Sequence, residues 1–146
     1  EMALLSTQSG LITPIPRPIS LKNESIDLVR SFANDDIFVG KPVHDTAKGS
    51  VAHMCAPTSS VARSDEPAVP TAIIFPKYRK GANIELSPLS KGRTFLELAE
   101  NSFNYHILSS TAFGALTAML DQCECFRLNY QNLDDAYTTL GNLIDA

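Results

Sequence analysis

Hydrophobic and polar positions in the first third of the chain predict short strands followed by a helix. Apolar runs at 2–5 and 11–15, separated by a glycine, are typical of a β-hairpin. The segment 14–18 reads Pro-Ile-Pro-Arg-Pro, which favours extended backbone because each proline fixes its own φ and disfavours helix at the preceding residue. Asn23 is placed to cap a short helix that ends at 34–36. The apolar stripe of this helix is Ile26, Val29, Phe32 and Ala33.

The middle of the chain predicts strands joined by irregular segments. Residues 40–49 have the composition of a loop, 50–55 read as a strand, and 56–70 form a polar connection interrupted by prolines. The continuous apolar run 72–75 is typical of a strand buried on both faces, so we expect it to be the central strand of a sheet. A more exposed strand is expected over 84–89.

Helical periodicity dominates the last third of the chain, where a short alternating strand over 126–130 precedes the last helix. Asn132 is placed to cap that last helix. The three stripes are Phe95, Leu98, Ala99 and Phe103; Leu108, Ala112, Leu116, Met119, Leu120 and Cys123; and Leu133, Ala136, Tyr137, Leu140, Leu143 and Ile144. We therefore predict a mixed α/β or α+β fold, with a mixed sheet and C-terminal helices, in one domain over 1–146.

Composition and charge narrow the class of protein. With 146 residues, 44% of them hydrophobic, the chain is long enough to bury a core. The net charge of -4 argues against a nucleic-acid-binding protein, which needs a surplus of Lys and Arg. No apolar run approaches the roughly 20 residues of a membrane helix, so no membrane partner is expected. Three cysteines with no framework spacing favour a reducing, cytoplasmic location.

Charge is distributed unevenly along the chain. The segment 77–93 has five basic residues and one acidic residue (5 − 1 = +4), whereas 94–146 has one basic and seven acidic residues (1 − 7 = −6). Lys77, Arg79 and Lys80 follow the predicted central strand, at the sheet edge where open α/β folds bind ligands. The sequence therefore predicts either an anion-binding turn or an ordinary solvated one.

Two other groups of polar residues are candidates for chemistry. Arg17 and Lys22 frame the proline-stiffened segment, and cations on rigid backbone suit a phosphate or an acidic substrate; Arg17 is otherwise a surface residue. His44 and Asp45 lie in the glycine-flanked loop, where they are candidates for acid/base work or a Mg²⁺ contact, with Lys48 near for phosphate charge. The alternative is a turn in which Asp45 caps local N–H groups and His44 faces solvent.

Metal binding by the protein itself is not expected from the sequence. His53 and Cys55 would share one face of a strand, which is half of a metal site. The pair Cys123 and Cys125, with His106, does not complete a recognised ligand spacing. We therefore interpret the cysteines as structural and predict no metal ligands.

Four stretches together resemble the HPr-kinase-related P-loop kinases, of the type called kinase A. They are Pro16-Arg17-Pro18-Ile19-Ser20-Leu21-Lys22-Asn23; Pro42-Val43-His44-Asp45-Thr46 with Lys48-Gly49; Ile74-Phe75-Pro76-Lys77-Tyr78; and Leu98-Ala99-Glu100-Asn101-Ser102-Phe103-Asn104-Tyr105. The resemblance spans most of the chain. It implies part of the HPr-kinase and phosphoenolpyruvate-carboxykinase-like fold, and a whole protein that uses ATP and Mg²⁺ to phosphorylate a serine-type hydroxyl of a protein or peptide.

One departure from this family is large, because the sequence contains no Gly-x-x-x-x-Gly-Lys-[Ser/Thr] loop to hold phosphates. Either upstream sequence precedes this chain or nucleotide binding has been lost. In the first case the resemblance makes Glu1 a remnant of the family's acidic pair, with a catalytic role; the alternative is an ordinary solvated terminal residue.

Two competing hypotheses remain open at the level of sequence. The chain is a non-catalytic module in which the Arg17 to Lys22 loop and the basic turn grip an acidic partner, or it is a structural piece whose sheet is completed by an N-terminal half or by another copy in a homo-oligomer. Nucleotide dependence of partner binding separates the first of these from the kinase hypothesis.

Overall fold

The computed structural model describes residues 2–33 and 37–144, whose contacts group into two compact units. Unit 1 comprises Glu1–Leu4 and Ile12–Ala68, and unit 2 comprises Leu5–Leu11 and Val69–Ala146. The α/β class predicted from the sequence is confirmed, because helices accompany three small sheets. The single-domain assignment stays a prediction.

The start of the chain pairs as the hydrophobic pattern predicts. Strand β1 (Ala3–Leu5) and strand β2 (Ile12–Pro14) form a two-stranded sheet. The intervening turn is closed by the Gly10 N–H, which donates to the Ser6 carbonyl over 3.0 Å. Gly10 has a φ of 71°, a conformation that glycine adopts without steric cost, so the hairpin prediction is confirmed.

Unit 1 is built on an antiparallel sheet with one helix against it. The sheet has the order β3 (Ile19–Lys22), β5 (Gly49–Met54), β4 (Val43–Thr46), and the helix α1 is Glu24–Phe32. The buried core joins Leu21 and Ala52, which face each other across β3 and β5, to Ile26 of the helix. The half-buried residues Ile19, Val29, Val39 and Met54 surround this core.

The loop prediction for residues 40–49 is wrong, because Val43–Thr46 is strand β4. Its residues are exposed or half-buried and mostly polar, so no apolar alternation marks the strand in the sequence. A tight turn with Gly49 at a φ of 79° instead brings the segment back along β5. The predicted connection over 56–70 likewise contains a short helix, α2 (Thr58–Ala62).

Unit 2 packs helices on a three-stranded sheet of order β6 (Ala72–Tyr78), β8 (Glu124–Tyr130), β7 (Glu85–Pro88). Strand β6 is parallel to β8, and β7 is antiparallel to it. The helices are α3 (Lys91–Asn101), α4 (Tyr105–Leu108), α5 (Ser110–Gln122) and α6 (Leu133–Ile144).

The interior of unit 2 follows the predicted helical stripes only in part, because Phe103 lies beyond the end of α3 and Tyr137 and Ile144 of α6 are exposed. Leu116, Met119 and Cys123 form a buried cluster, with the half-buried residues Leu5, Ile73, Phe95, Leu98 and Tyr105 around it. Burial raises the pKa of the Cys123 thiol, as does the neighbouring Cys125 thiol, so Cys123 stays protonated and donates to the Pro70 carbonyl over 3.3 Å. Asn132 caps α6 as predicted, since its Oδ1 accepts from the Asp134 N–H over 2.7 Å.

The prediction of the central strand is wrong. Strand β8 lies in the middle of its sheet and β6 lies at an edge. Pro76 falls within β6 and has no N–H to donate, which an edge strand tolerates better than a central one. Ile74 in the apolar run is only half-buried, whereas Leu128 of β8 is 1% exposed.

Candidate functional site

Several predicted site residues meet at one end of the unit 1 sheet. Lys22 is the last residue of β3 and pairs with Val51. Lys48 lies in the turn that joins β4 to β5, next to Gly49, which pairs with Thr46. Because Gly49 and Val51 are two residues apart on β5, the two lysines lie at the same end of the sheet. We call this end the lysine end.

The lysine end is fixed by an interlock between Asn23 and the start of β5. Asn23 Oδ1 accepts from the Ser50 N–H over 3.1 Å, and the Asn23 N–H donates to the Ser50 carbonyl over 2.9 Å. These bonds join residues 27 positions apart in the chain. Asn23 adopts a φ of 50°, so its backbone is held in a strained conformation by its neighbours. Asn23 occupies the predicted cap position of α1, but its side chain makes no cap bond.

His44 is attached to the same structure through its ring. His44 Nδ1 and Ser50 Oγ are 2.9 Å apart, with either atom able to donate according to the tautomer. Asp45 follows with a φ of 56°, at the point where the register between β4 and β5 shifts. Both residues are exposed. An exposed imidazole whose one nitrogen is fixed by a hydroxyl is able to exchange a proton at its other nitrogen.

The turn of the lysine end is held by Thr46. Its hydroxyl donates to the Gly49 carbonyl over 2.6 Å and accepts from the Lys48 N–H over 3.1 Å. The backbone that carries Lys48 is thus already ordered, so it loses little conformational entropy when a ligand binds. Basic side chains thus lie around the turn between β4 and β5. They are Lys22, His44 and Lys48, with Asp45 beside them.

The other predicted residues of this region lie elsewhere. The interpretation of 17–22 as one loop is wrong, because Ile19–Lys22 is strand β3. Arg17 is exposed and precedes β3, so it lies at the opposite end of that strand from Lys22. Glu1 lies outside the described residues, as do Asn34, Asp35 and Asp36.

Replacing Gly49 by alanine tests the interlock. An added Cβ would lie 2.3 Å from Asn23 Oδ1, and the φ of 79° is one that alanine rarely adopts. Displacing Asn23 also breaks its bond to Ser50, so we expect a loss of about 1–3 kcal/mol in the free energy of unfolding of unit 1, measured by urea denaturation. Gly40→Ala is the matched control, since its Cβ would be 3.5 Å from the His53 carbonyl oxygen. Equal losses in the two variants would contradict the interlock.

Unit 2 holds a second group of predicted residues at the carboxyl end of its parallel strands. Lys77 of β6 pairs with Asn129 of β8, which pairs with Glu85 of β7. Paired residues point to the same face of a sheet, so these three form a row across it. The Arg79 N–H donates to the Tyr130 carbonyl over 2.8 Å, which continues the pairing beyond β6.

An open cleft of about 440 Å³ lies beside this row, lined by Arg79, Ala82, Asn83, Ile84, Glu85 and Asn129. The Asn129 amide is oriented by its Nδ2, which donates to Glu85 Oε2 over 3.2 Å, because a carboxylate only accepts. Asn129 Oδ1 is buried and has no hydrogen-bond partner among the described residues. Such an unsatisfied acceptor costs about 1–3 kcal/mol.

Glu85 is held in its ionised form. The Ser87 hydroxyl donates to Glu85 Oε1 over 2.8 Å, and this bond, the bond from Asn129 and the charge of Arg79 together hold the pKa of Glu85 below the ordinary value of 4.5. The folded protein therefore gains stability from this carboxylate at higher pH, and loses it as pH falls through the lowered pKa.

The titration of Glu85 is expected to respond to Ser87. In a ¹³C-detected NMR titration, Ser87→Ala should raise the pKa of Glu85 towards 4.5, because the first of the stabilising hydrogen bonds is removed. Ser110→Ala, on the first turn of α5, should leave the pKa unchanged. A Glu85 midpoint at or above 4.5 in the wild-type protein would contradict the arrangement.

The sequence predicted Lys77 of this row and the neighbouring Arg79, but not the polar residues Asn129 and Glu85. Glu85 and Ser87 occupy alternate positions of β7 and so lie on one face of the sheet, and Asn129 lies near the end of β8. These positions are the features of the sequence that could have indicated the row. Arg127, one position along the same face of β8, pairs with Glu97, and Glu97 also lies 3.5 Å from Arg93.

Comparison of the chain with protein-family models, curated proteins and solved structures gave no match. Within 2–33 and 37–144, no group of three or more His, Cys, Asp or Glu side chains is arranged to hold a metal ion. No helix over the same residues has both the length and the hydrophobicity that crossing a bilayer requires.

Proposed function

We propose that the chain is the C-terminal part of an HPr-kinase-like P-loop kinase, cytoplasmic in location, that phosphorylates a hydroxyl of a protein or peptide substrate. The observation that carries the proposal is the interlock of Asn23 with Gly49 and Ser50. Two of the four stretches that resemble the family meet there, because Asn23 lies beside Gly49, 26 positions further along the chain (49 − 23 = 26). Residues far apart in the sequence thus form one hydrogen-bonded structure. One lysine of each stretch, Lys22 or Lys48, lies beside it.

The lysine end supplies what the substrate side of phosphoryl transfer requires. The transferred group carries its charge on equatorial oxygens, and catalysis consists mainly of positioning and charge neutralisation. Lys22 and Lys48 supply positive charge, and His44 supplies an imidazole whose Nδ1 is 2.9 Å from the Ser50 hydroxyl oxygen. In this proposal Lys48 contacts a phosphate oxygen, and His44 with Asp45 receives a proton from the substrate hydroxyl.

The family's ATP-binding element is not in this sequence, which has no Gly-rich loop ending in Lys and Ser or Thr. In the proposed complete kinase, such a loop would hold the phosphates of ATP with Mg²⁺, and the residues of the lysine end would act on the substrate side.

The proposal is tested by the coding sequence upstream of Glu1 and by nucleotide binding. We expect that sequence to encode a Gly-x-x-x-x-Gly-Lys-[Ser/Thr] loop, and the protein that includes it to bind ATP with Mg²⁺ in equilibrium titrations. A start codon at Met2 would contradict the kinase hypothesis. Binding of an acidic peptide to the lysine end without any effect of nucleotide would instead favour the non-catalytic module.

A further inference from the structure

Ser50 places a hydroxyl next to an imidazole at the lysine end. Ser50 Oγ and His44 Nδ1 are 2.9 Å apart, within the distance over which a base takes a proton from a hydroxyl. Ser50 is half-buried near the start of β5, and His44 is exposed on β4. A serine hydroxyl is a weak nucleophile until an adjacent base removes its proton, so the two side chains have the arrangement of an activated nucleophile.

The backbone that carries this hydroxyl is fixed on both sides. The Ser50 N–H donates to Asn23 Oδ1 over 3.1 Å, and the Ser50 carbonyl accepts from the Asn23 N–H over 2.9 Å. The point from which Oγ extends is therefore set before a second reactant arrives. Lys48 stands two residues earlier in the turn ordered by Thr46, so a cation is available for the charge of an incoming phosphoryl group.

Two neighbouring hydroxyls are paired in a different way. The Thr46 hydroxyl donates to the Gly49 carbonyl over 2.6 Å, and the Ser25 hydroxyl donates to the Lys22 carbonyl over 2.7 Å. A backbone carbonyl only accepts a hydrogen bond, whereas an imidazole nitrogen can take the proton itself. Of these three hydroxyls, Ser50 is the one that is prepared to react.

We propose that Ser50 is itself a phosphoryl acceptor, so that the chain is a substrate of its own lysine end. This inference rests on the proposed kinase function, in which His44 receives the proton of a substrate hydroxyl. A bond forms between Ser50 Oγ and the γ-phosphorus of ATP, and the bond from that phosphorus to the β–γ bridging oxygen breaks. ADP leaves with the electron pair, and the hydroxyl proton passes to His44 Nδ1. The product is a phosphoserine with a charge of about −1.5 to −2 at pH 7.

The reactivity of Ser50 is tested on this chain, without nucleotide, by diisopropyl fluorophosphate. This probe forms a P–O bond with an activated serine while fluoride leaves with the electron pair and the hydroxyl proton passes to the base. We expect mass spectrometry to locate the label on Ser50, and His44→Gln to slow labelling at least about tenfold. His106→Gln, which changes an exposed histidine of α4, is the matched control and should label at the wild-type rate. A label that is absent from Ser50, or equal rates in the two variants, would overturn the inference.

A second experiment separates this inference from the proposed function. In the complete kinase that we propose, incubation with ATP and Mg²⁺ should yield a phosphopeptide that contains phosphoserine 50. Ser50→Ala, which keeps the backbone bonds to Asn23, should remove this phosphopeptide, and Ser59→Ala on α2 should retain it. Phosphorylation of an added serine peptide with Ser50 unmodified would overturn the inference and leave the kinase function standing. Transfer to neither acceptor would contradict both.

Discussion

Replacing Leu128 by alanine is expected to lower the free energy of unfolding of unit 2 by about 2–5 kcal/mol. Leu128 is 1% exposed and lies in the central strand β8, between Pro76 and Leu86 of the flanking strands. Truncation removes buried methyl groups and leaves a cavity that strands on both sides hinder from closing. Urea denaturation followed by far-UV circular dichroism measures the change.

Leu96→Ala provides the matched control for this prediction. Leu96 is 62% exposed on α3, so its truncation should change stability by less than about 0.5 kcal/mol. The dependence of the unfolding free energy on urea should stay the same in both variants, because the surface exposed on unfolding hardly changes. Comparable losses for Leu128 and Leu96 would show that β8 is not the centre of the sheet.

In the complete kinase that we propose, Lys48→Ala should lower kcat for phosphoryl transfer by about 10²–10³-fold, the usual effect of removing one donor to a developing charge. The turn that carries Lys48 is held by Thr46 and Gly49, so the backbone from which the ammonium extends is ordered before the substrate binds. Steady-state kinetics with ATP and a phosphorylatable serine substrate measure the effect. Circular dichroism of the variant establishes that it remains folded.

Two other variants define the limits of the site. Lys41 is an exposed lysine of unit 1 outside the lysine end, and Lys41→Ala should retain the wild-type rate. Arg17 stands at the opposite end of β3 from Lys22, so Arg17→Ala should raise KM with kcat unchanged, as expected for a residue that only binds the substrate. An unchanged KM would remove Arg17 from the site.

Those elements of the fold that are set by local periodicity were predictable from the sequence. Helices α3, α5 and α6 carry apolar stripes, and the Asn132 cap of α6 is confirmed. Strand order was not predictable, because it depends on pairing between distant segments. The apolar run in β6 looked central, yet β8, with its alternating polar residues, holds that position.

The two candidate sites were predictable only in part, for the same reason. Lys48 and Arg79 stand out as cations in turns near the ends of strands. The bond from Asn23 to Ser50 spans 27 residues and the bond from Asn129 to Glu85 spans 44, so neither leaves a local pattern. Strand β4 was missed because its His44, Asp45 and Thr46 have the composition of a loop, and Gly49 permits the turn that pairs them with β5.

Transfer of the γ-phosphate of ATP to serine by the complete kinase that we propose tests the role of the lysine end most directly. We predict Mg²⁺-dependent transfer whose rate is retained in Lys41→Ala and lowered about 10²–10³-fold in Lys48→Ala. No transfer by the wild-type protein, or an equal rate in Lys48→Ala and Lys41→Ala, would contradict the assignment of the lysine end to phosphoryl transfer.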